Sequence, residues 1–272
     1  MTETPLIRRD SLPDGVALLT LSNPPLNLNT LSSIAELHAH CRTLAADPSV
    51  RVVVVTGEGD RAFCAGSDIK EFADVRDDIV EKKLAAENAA FTALEELPQP
   101  VIAALNGVTL GGGAEIALAC DLRVIDEEAR IGFPEVKLGV FPGSGGVFRL
   151  PRVVGTGVAR RLLLTGDIID AEEALRVNLV DDVAPAGEAL ARALELATRL
   201  AAGPALALTL IKHGVIDAAT QTIQEATERT LADSHRVFTG PDIEEGISAF
   251  FARRTPVFTA PRPGATREDV TE

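Results

Sequence analysis

Three features of the 272-residue chain predict an α/β fold with a parallel sheet, followed by helices. Arg51-Val-Val-Val-Val-Thr56 is apolar on both strand faces, the pattern of a strand covered on each side by crossover helices. Val101 to Asp121 joins an apolar run to the triplet Gly111-Gly112-Gly113 and then to an Ala/Leu/Ile-rich run, which reads as a buried strand, a tight turn and a buried helix. Beyond about Ala184 only helical periodicity remains, so an α/β part gives way to an all-helical remainder.

Taken in order, the alternation in Val16 to Leu21 predicts a strand broken by Ser22-Asn23-Pro24-Pro25. Helical spacing over Thr30 to Leu44 follows, with Thr30 or Ser32 as the cap. Phe63 to Phe72 is a small-residue loop entering a helix that continues with breaks to Leu97, with Ser67 or Asp68 as its cap. Leu122 to Ile125 is a buried strand, Ala129 to Phe133 a short one, and Pro134 to Gly146 a turn-rich loop leading into a helical segment through Leu150. Helices are expected over Gly155 to Leu164, Asp170 to Val177, Glu188 to Leu200, Pro204 to Val215, Thr222 to Phe238 and Asp242 to Arg254. The tail from Pro261 to Glu272 has a disordered composition.

Composition removes several functional classes. Forty acidic against 26 basic residues, a net charge of −14, oppose a general nucleic-acid surface, and the absence of Trp and Tyr removes the best stacking side chains. No run approaches the roughly 18–20 apolar residues of a membrane helix, and Met1 to Asp10 lacks the apolar core of a signal peptide. A cytoplasmic location is the expectation. Cys41, Cys64 and Cys120 are too scattered for a zinc ribbon or a disulfide framework, and no metal site is expected.

The chain also lacks a phosphate-binding P-loop and a His-Glu-x-x-His zinc motif. Gly143-Ser144-Gly145 is not a nucleophile elbow, because Pro142 replaces the first glycine, and Phe148 spoils the same loop as a dinucleotide fingerprint. His38, His40, His213 and His235 have no acid partner at a telling spacing.

What remains is two loops of small residues and two carboxylates in apolar settings, Glu115 and Glu135. Glu115 lies in the first turn of a run with no polar stripe. Either it complements the positive helix end or it is retained for chemistry, since an unpaired buried carboxylate is costly. Glycines beside it allow close approach and leave amide hydrogens pointing outward at a helix N-terminus. These are the parts of a carboxylate acid/base site with a backbone oxyanion hole.

Ala65-Gly66-Ser67-Asp68-Ile69-Lys70, Asn106-Gly107 with Gly111-Gly112-Gly113-Ala114-Glu115, and Pro134-Glu135 with Leu138-Gly139 and Pro142-Gly143-Ser144-Gly145-Gly146 occur in that order. Together they resemble the motifs of the crotonase superfamily, the enoyl-CoA hydratase/isomerase fold. The likeness runs from about Leu6 to Phe258, where Glu245-Gly246, Ala249-Phe250, Arg253-Arg254 and Pro256 resemble the family's last helix.

The resemblance implies a crotonase-type spiral of ββα units over residues 1–200, a helical trimerisation region over 201–260, and assembly as a homotrimer or a hexamer made of two trimers. It implies an acyl-CoA thioester as substrate and no separate cofactor, coenzyme A being part of the substrate. By position, the amides of Ser67 and Gly112 would form the oxyanion hole, and Ala65, Asp68, Ile69 and Lys70 would line the CoA side. Glu115 and Glu135 would be the catalytic pair, and a member that keeps both is expected to hydrate 2-enoyl-CoA to 3-hydroxyacyl-CoA.

Two departures stand out. Ser67 replaces the usual alanine, bringing an extra hydroxyl near the expected thioester, and Phe133 replaces an amide side chain beside the second carboxyl. The rival readings are a Δ3,Δ2-enoyl-CoA isomerase or another acyl-CoA enzyme of the superfamily and, from a different class, an idle homologue serving as a binding or assembly module.

Overall fold

The computed structural model describes residues 5–260, so the tail from Pro261 lies outside the described residues. A mainly parallel sheet of six strands forms the centre. Its strands are β1 (Ile7–Ser11), β2 (Val16–Leu21), β3 (Val52–Gly57), β5 (Val101–Leu105), β7 (Leu122–Asp126) and β10 (Asp182–Ala184), neighbours in that order. Only β1 runs antiparallel to its neighbour.

The four valines of β3 are fully buried and divide between the sheet's two faces. Val53 and Val55 enter the larger core, and Val52 and Val54 the smaller one. Alternate pointing along a strand makes this division, and burial on both faces removes the need for polar positions.

Helix α7 (Ala189–Ala201) covers the smaller core with Ala189, Ala193, Ala197 and Ala201. Their spacing of four places them along one stripe, and their small size lets the helix lie close to the sheet.

A second sheet of short strands stands on the other side: β4 (Ala62–Cys64), β6 (Val108–Leu110), β8 (Arg130–Gly132) and β9 (Ile168–Asp170). The chain alternates between the sheets. β3 leads to β4, β5 to β6 and β7 to β8, and each pair is followed by helix, which is the expected ββα spiral.

After β4 come α2 (Ile69–Val75), a π-helical turn at Val80–Leu84 and α3 (Ala85–Glu95). After β6 comes α4 (Gly112–Leu118), and after β8 a 3-10 turn at Pro134–Leu138 and α5 (Gly146–Thr165). The segments expected at Gly146 to Leu150 and Gly155 to Leu164 are one helix in α5, bent at Gly155, where φ is +76°. Helix α1 (Leu31–Ala46) starts at Thr30, whose hydroxyl and the Ser33 side chain cap each other's backbone amides.

Helix α6 (Ala171–Arg176) follows β9, and β10 ends the α/β part at Ala184. Beyond α7 lie α8 (Ala205–Asp217), α9 (Ile223–Phe238) and α10 (Asp242–Ala252). Helix α8 is tied to the segments that lead into β5 and β7: buried Lys212 pairs with Asp121 at 2.8 Å and donates to the Gln99 carbonyl at 3.0 Å. Helix α9 buries no residue, and Phe238, Phe250 and Phe251 on the last two helices stand largely exposed. No single helix among the described residues is long and apolar enough to cross a membrane.

Candidate active site

The spiral brings three glycine-rich turns to one place. Gly111 caps α4 with φ of +52°, a left-handed backbone open to glycine, and a Cβ there would stand 3.1 Å from Glu135 Oε1. Gly113 is wedged still more tightly, since its Cβ would fall 2.1 Å from the Cys64 carbonyl oxygen. This close approach draws α4 against β4 and the Gly66-Ser67 turn. A Cβ on Gly112 would lie 3.6 Å from the Ser67 nitrogen, and one on Gly66 would lie 3.9 Å from the Gly112 nitrogen. The two amides expected to form an oxyanion hole are therefore neighbours.

Asn29 supports the first turn through its backbone. Its N–H donates to the Gly66 carbonyl at 2.9 Å, and its carbonyl accepts from the Asp68 N–H at 2.8 Å. Its side-chain Nδ2 is buried beside Gly112 with no protein partner.

Glu115 occupies the first turn of a helix in which every residue is buried. Its Oε1 accepts from the Ser144 N–H at 2.9 Å and the Gly146 N–H at 2.8 Å. Burial pushes its pKa up to about 8; the two amides oppose this, and the charges of Glu135 and Glu87 reinforce it.

Glu135 sits differently, in the 3-10 turn after β8. Burial raises its pKa as well, and its own backbone N–H partly offsets the rise. Its Oε2 is shielded from solvent and has no protein partner. Two carboxyl groups that disfavour ionisation thus share one site beside the paired amides, and one of them keeps a free oxygen.

The expected CoA-side residues have separate fates. Ala65 and Ser67 are half-buried, the Asp68 side chain caps α2 by accepting from the Lys70 N–H at 3.0 Å, and Ile69 and Lys70 are exposed. The Ser67 hydroxyl, expected near the thioester, instead donates to Glu87 Oε1 at 2.8 Å. Phe133 is fully buried in the larger core and does not stand free beside Glu135.

Asn106 shapes a turn. Its Nδ2 donates to the carbonyls of Gly57 and Gly59, and its Oδ1 accepts from the Gly57 N–H. That turn borders a cleft of about 700 Å³ that also touches Arg8, Glu58, Asp60 and Asp126 and none of the expected site residues.

Sequence reasoning missed Glu87 and Lys83, and it read Ser144 only as a member of the Pro142 to Gly146 motif, not as a residue that engages Glu87 and Glu115. The only sign of Glu87 is an acid among the alanines of Ala85-Ala86-Glu87-Asn88-Ala89-Ala90, a weaker mark than that of Glu115 because Lys82, Lys83 and Asn88 stand close by.

A two-sheet ββα spiral with a buried glutamate at a triple-glycine turn and a second glutamate facing it is the architecture of a crotonase-fold protein. The chain belongs to the enoyl-CoA hydratase/isomerase family, whose model matches residues 11–261. It is 37% identical over 246 residues to the crotonyl-CoA hydratase of Syntrophomonas wolfei, covering 89% of this chain and 93% of that one. It is 39% identical over 254 residues to the 2,3-dehydroadipyl-CoA hydratase of Escherichia coli, covering 89% and 94%. Among solved structures, an enoyl-CoA hydratase from Bacillus anthracis superposes with a TM-score of 0.89 at 35% identity, covering 93% of this chain and 98% of the other.

Proposed function

We propose that the protein adds water across the double bond of a 2-enoyl-CoA to give a 3-hydroxyacyl-CoA, with Glu115 and Glu135 as the acid/base pair. The observation that supports the reading is that the charge of Glu135 raises the pKa of buried Glu115 while Glu135 Oε1 stands against the Gly111 turn, next to the neighbouring Ser67 and Gly112 amides. Water attack at the β-carbon moves charge onto the thioester oxygen, and two fixed amides in a dry site hold it, each contributing about 3 kcal/mol to the barrier reduction. One carboxyl takes the proton of the attacking water while the other, protonated, supplies the α-carbon. The pair enters turnover with a single proton between them, a state favoured by burial and mutual repulsion.

Lys70, exposed at the start of α2, is the cation that this reading offers to a CoA phosphate, with Ala65, Asp68 and Ile69 adjoining it in the chain. The acyl-CoA carries its own coenzyme, so the reaction needs no further cofactor. The exposed Phe238, Phe250 and Phe251 suit burial against other copies in a trimer or a hexamer.

The test is the loss of enoyl-thioester absorbance when crotonyl-CoA or longer 2-enoyl-CoA thioesters are added to the purified protein. No loss with any of them ends the proposal. An isomerase is the second reading, because the free Glu135 oxygen can shuttle a proton between carbons alone. Glu115→Gln separates the two: a hydratase loses about 100-fold or more in rate, whereas an isomerase built on Glu135 keeps most of it.

A further inference from the structure

Glu87 lies where two parts of the site meet. It belongs to α3 and is 2% exposed. Its Oε1 accepts from the Ser67 hydroxyl at 2.8 Å, and its Oε2 accepts from the Ser144 hydroxyl at 2.5 Å. Ser67 carries one amide of the proposed oxyanion hole, and the Ser144 N–H is one of the two that grip Glu115. One carboxylate therefore spans the turn that receives the thioester oxygen and the loop that holds an acid/base group.

The support behind Glu87 is also built. Lys83 is fully buried, 3.6 Å from Glu87 Oε1 and 2.7 Å from Glu71 Oε2. Glu71 in turn accepts from the Leu31 N–H that opens α1. Arg149 borders the same loop and donates to the Ser144 carbonyl at 3.3 Å. Apolar side chains of similar volume commonly fill such a space without the cost of desolvating ions. An ion pair kept there with both Glu87 oxygens engaged is a rigid strut between the turn of Ser67 and the loop that holds Glu115.

We propose that Glu87 is a positioning residue for the hydration: held by Lys83 and acting through Ser67 and Ser144, it keeps the oxyanion amide and the Glu115 carboxyl in register. The inference rests on the proposed function. A displacement of about 1 Å between such groups is enough to cost roughly 100-fold in rate. The groups facing Glu115 are Glu135 from the 3-10 turn, Glu87 from α3 and the amides of Ser144 and Gly146. Removing the charge of Glu87 takes away one of the two acids that hold the Glu115 proton in place.

Glu87→Gln in the full-length protein should lower kcat by about 10- to 100-fold with KM changed by less than about 3-fold. The alkaline limb of its pH–rate profile should move to lower pH. Ser144→Ala, which keeps the amide that holds Glu115, should lower kcat several-fold, and its effect should largely vanish in the Glu87→Gln background.

Wild-type kcat in Glu87→Gln overturns the inference, as does a reduced kcat with an unmoved limb and effects that simply add. Should Glu87→Gln fail to fold, the cycle of Ser67→Ala with Ser144→Ala decides: coupled losses support the strut, and additive ones overturn it. If the wild type hydrates no enoyl-CoA, the functional reading has failed instead. Titration of Glu115 by carbon NMR then decides the coupling: a lower midpoint in Glu87→Gln supports it and an unmoved one overturns it.

Discussion

The two glutamates of the site are the same residue in opposite kinds of surroundings. Glu115 is built in from every side: its helix is wholly buried, two amides grip one of its oxygens, and glycines bring the helix against β4. Glu135 stands in a short 3-10 turn where Val136 and Leu138 within it and Val140 and Phe141 after it are exposed, and its Oε2 bonds to nothing in the protein. One carboxyl is fixed by the fold, while the other keeps a shielded oxygen that no protein group engages. A pair of this kind can orient a water and still follow a proton to carbon.

The contrast breaks most completely at Gly113. A methyl group there meets the Cys64 carbonyl at 2.1 Å, so Gly113→Ala must push α4 away from β4. Loss of soluble folded protein, or destabilisation by about 3 kcal/mol or more, is expected in denaturant titration. Leu138→Ala, in the turn that carries Glu135 and 63% exposed, should change stability by less than about 0.5 kcal/mol in the same experiment.

Glu115→Gln sharpens the contrast at smaller scale. A pKa of about 8 in the folded protein against 4.5 unfolded means that the fold favours the protonated form. Stability therefore falls as pH rises from about 4.5 to about 8, through the deprotonation that only the unfolded chain undergoes freely. The glutamine keeps an oxygen for the two amides and removes this burden. Its stability gain should be small at pH 5 and on the order of 3 kcal/mol at pH 8, read as a rise in Tm. A gain equal at both pH values would show that Glu115 titrates normally.

The pH–rate profile of the wild type gives a further check. If turnover needs one proton shared by the pair, activity should fall above about pH 8 as Glu115 loses its proton. A profile flat to pH 9.5 or so would remove that requirement.

Much of this was legible in the chain, and the reasons are local. β3 announced itself by four consecutive valines, and α4 by an apolar run after glycines. Strands β4, β6, β8 and β9 have three residues each, too few to display a period of two; the spiral was visible through the family resemblance and not through periodicity. Glu115 stood out because nothing polar surrounds it in sequence. Glu87 did not, because an acid in an alanine-rich helix also describes an exposed face, and only the packing of Ser67 and Ser144 against it shows otherwise. The Ser67 hydroxyl is the matching case: its presence was readable, but its direction depends on a residue in another helix.

The central claim is that Glu115 and Glu135 work as one unit, and kcat/KM for hydration of crotonyl-CoA by the wild type, Glu115→Gln, Glu135→Gln and the double variant tests it most directly. Each single change should cost about 100-fold or more, with the double variant little worse than either single one. A Glu115→Gln enzyme that retains most of its rate, or two losses that multiply in full, would contradict the account.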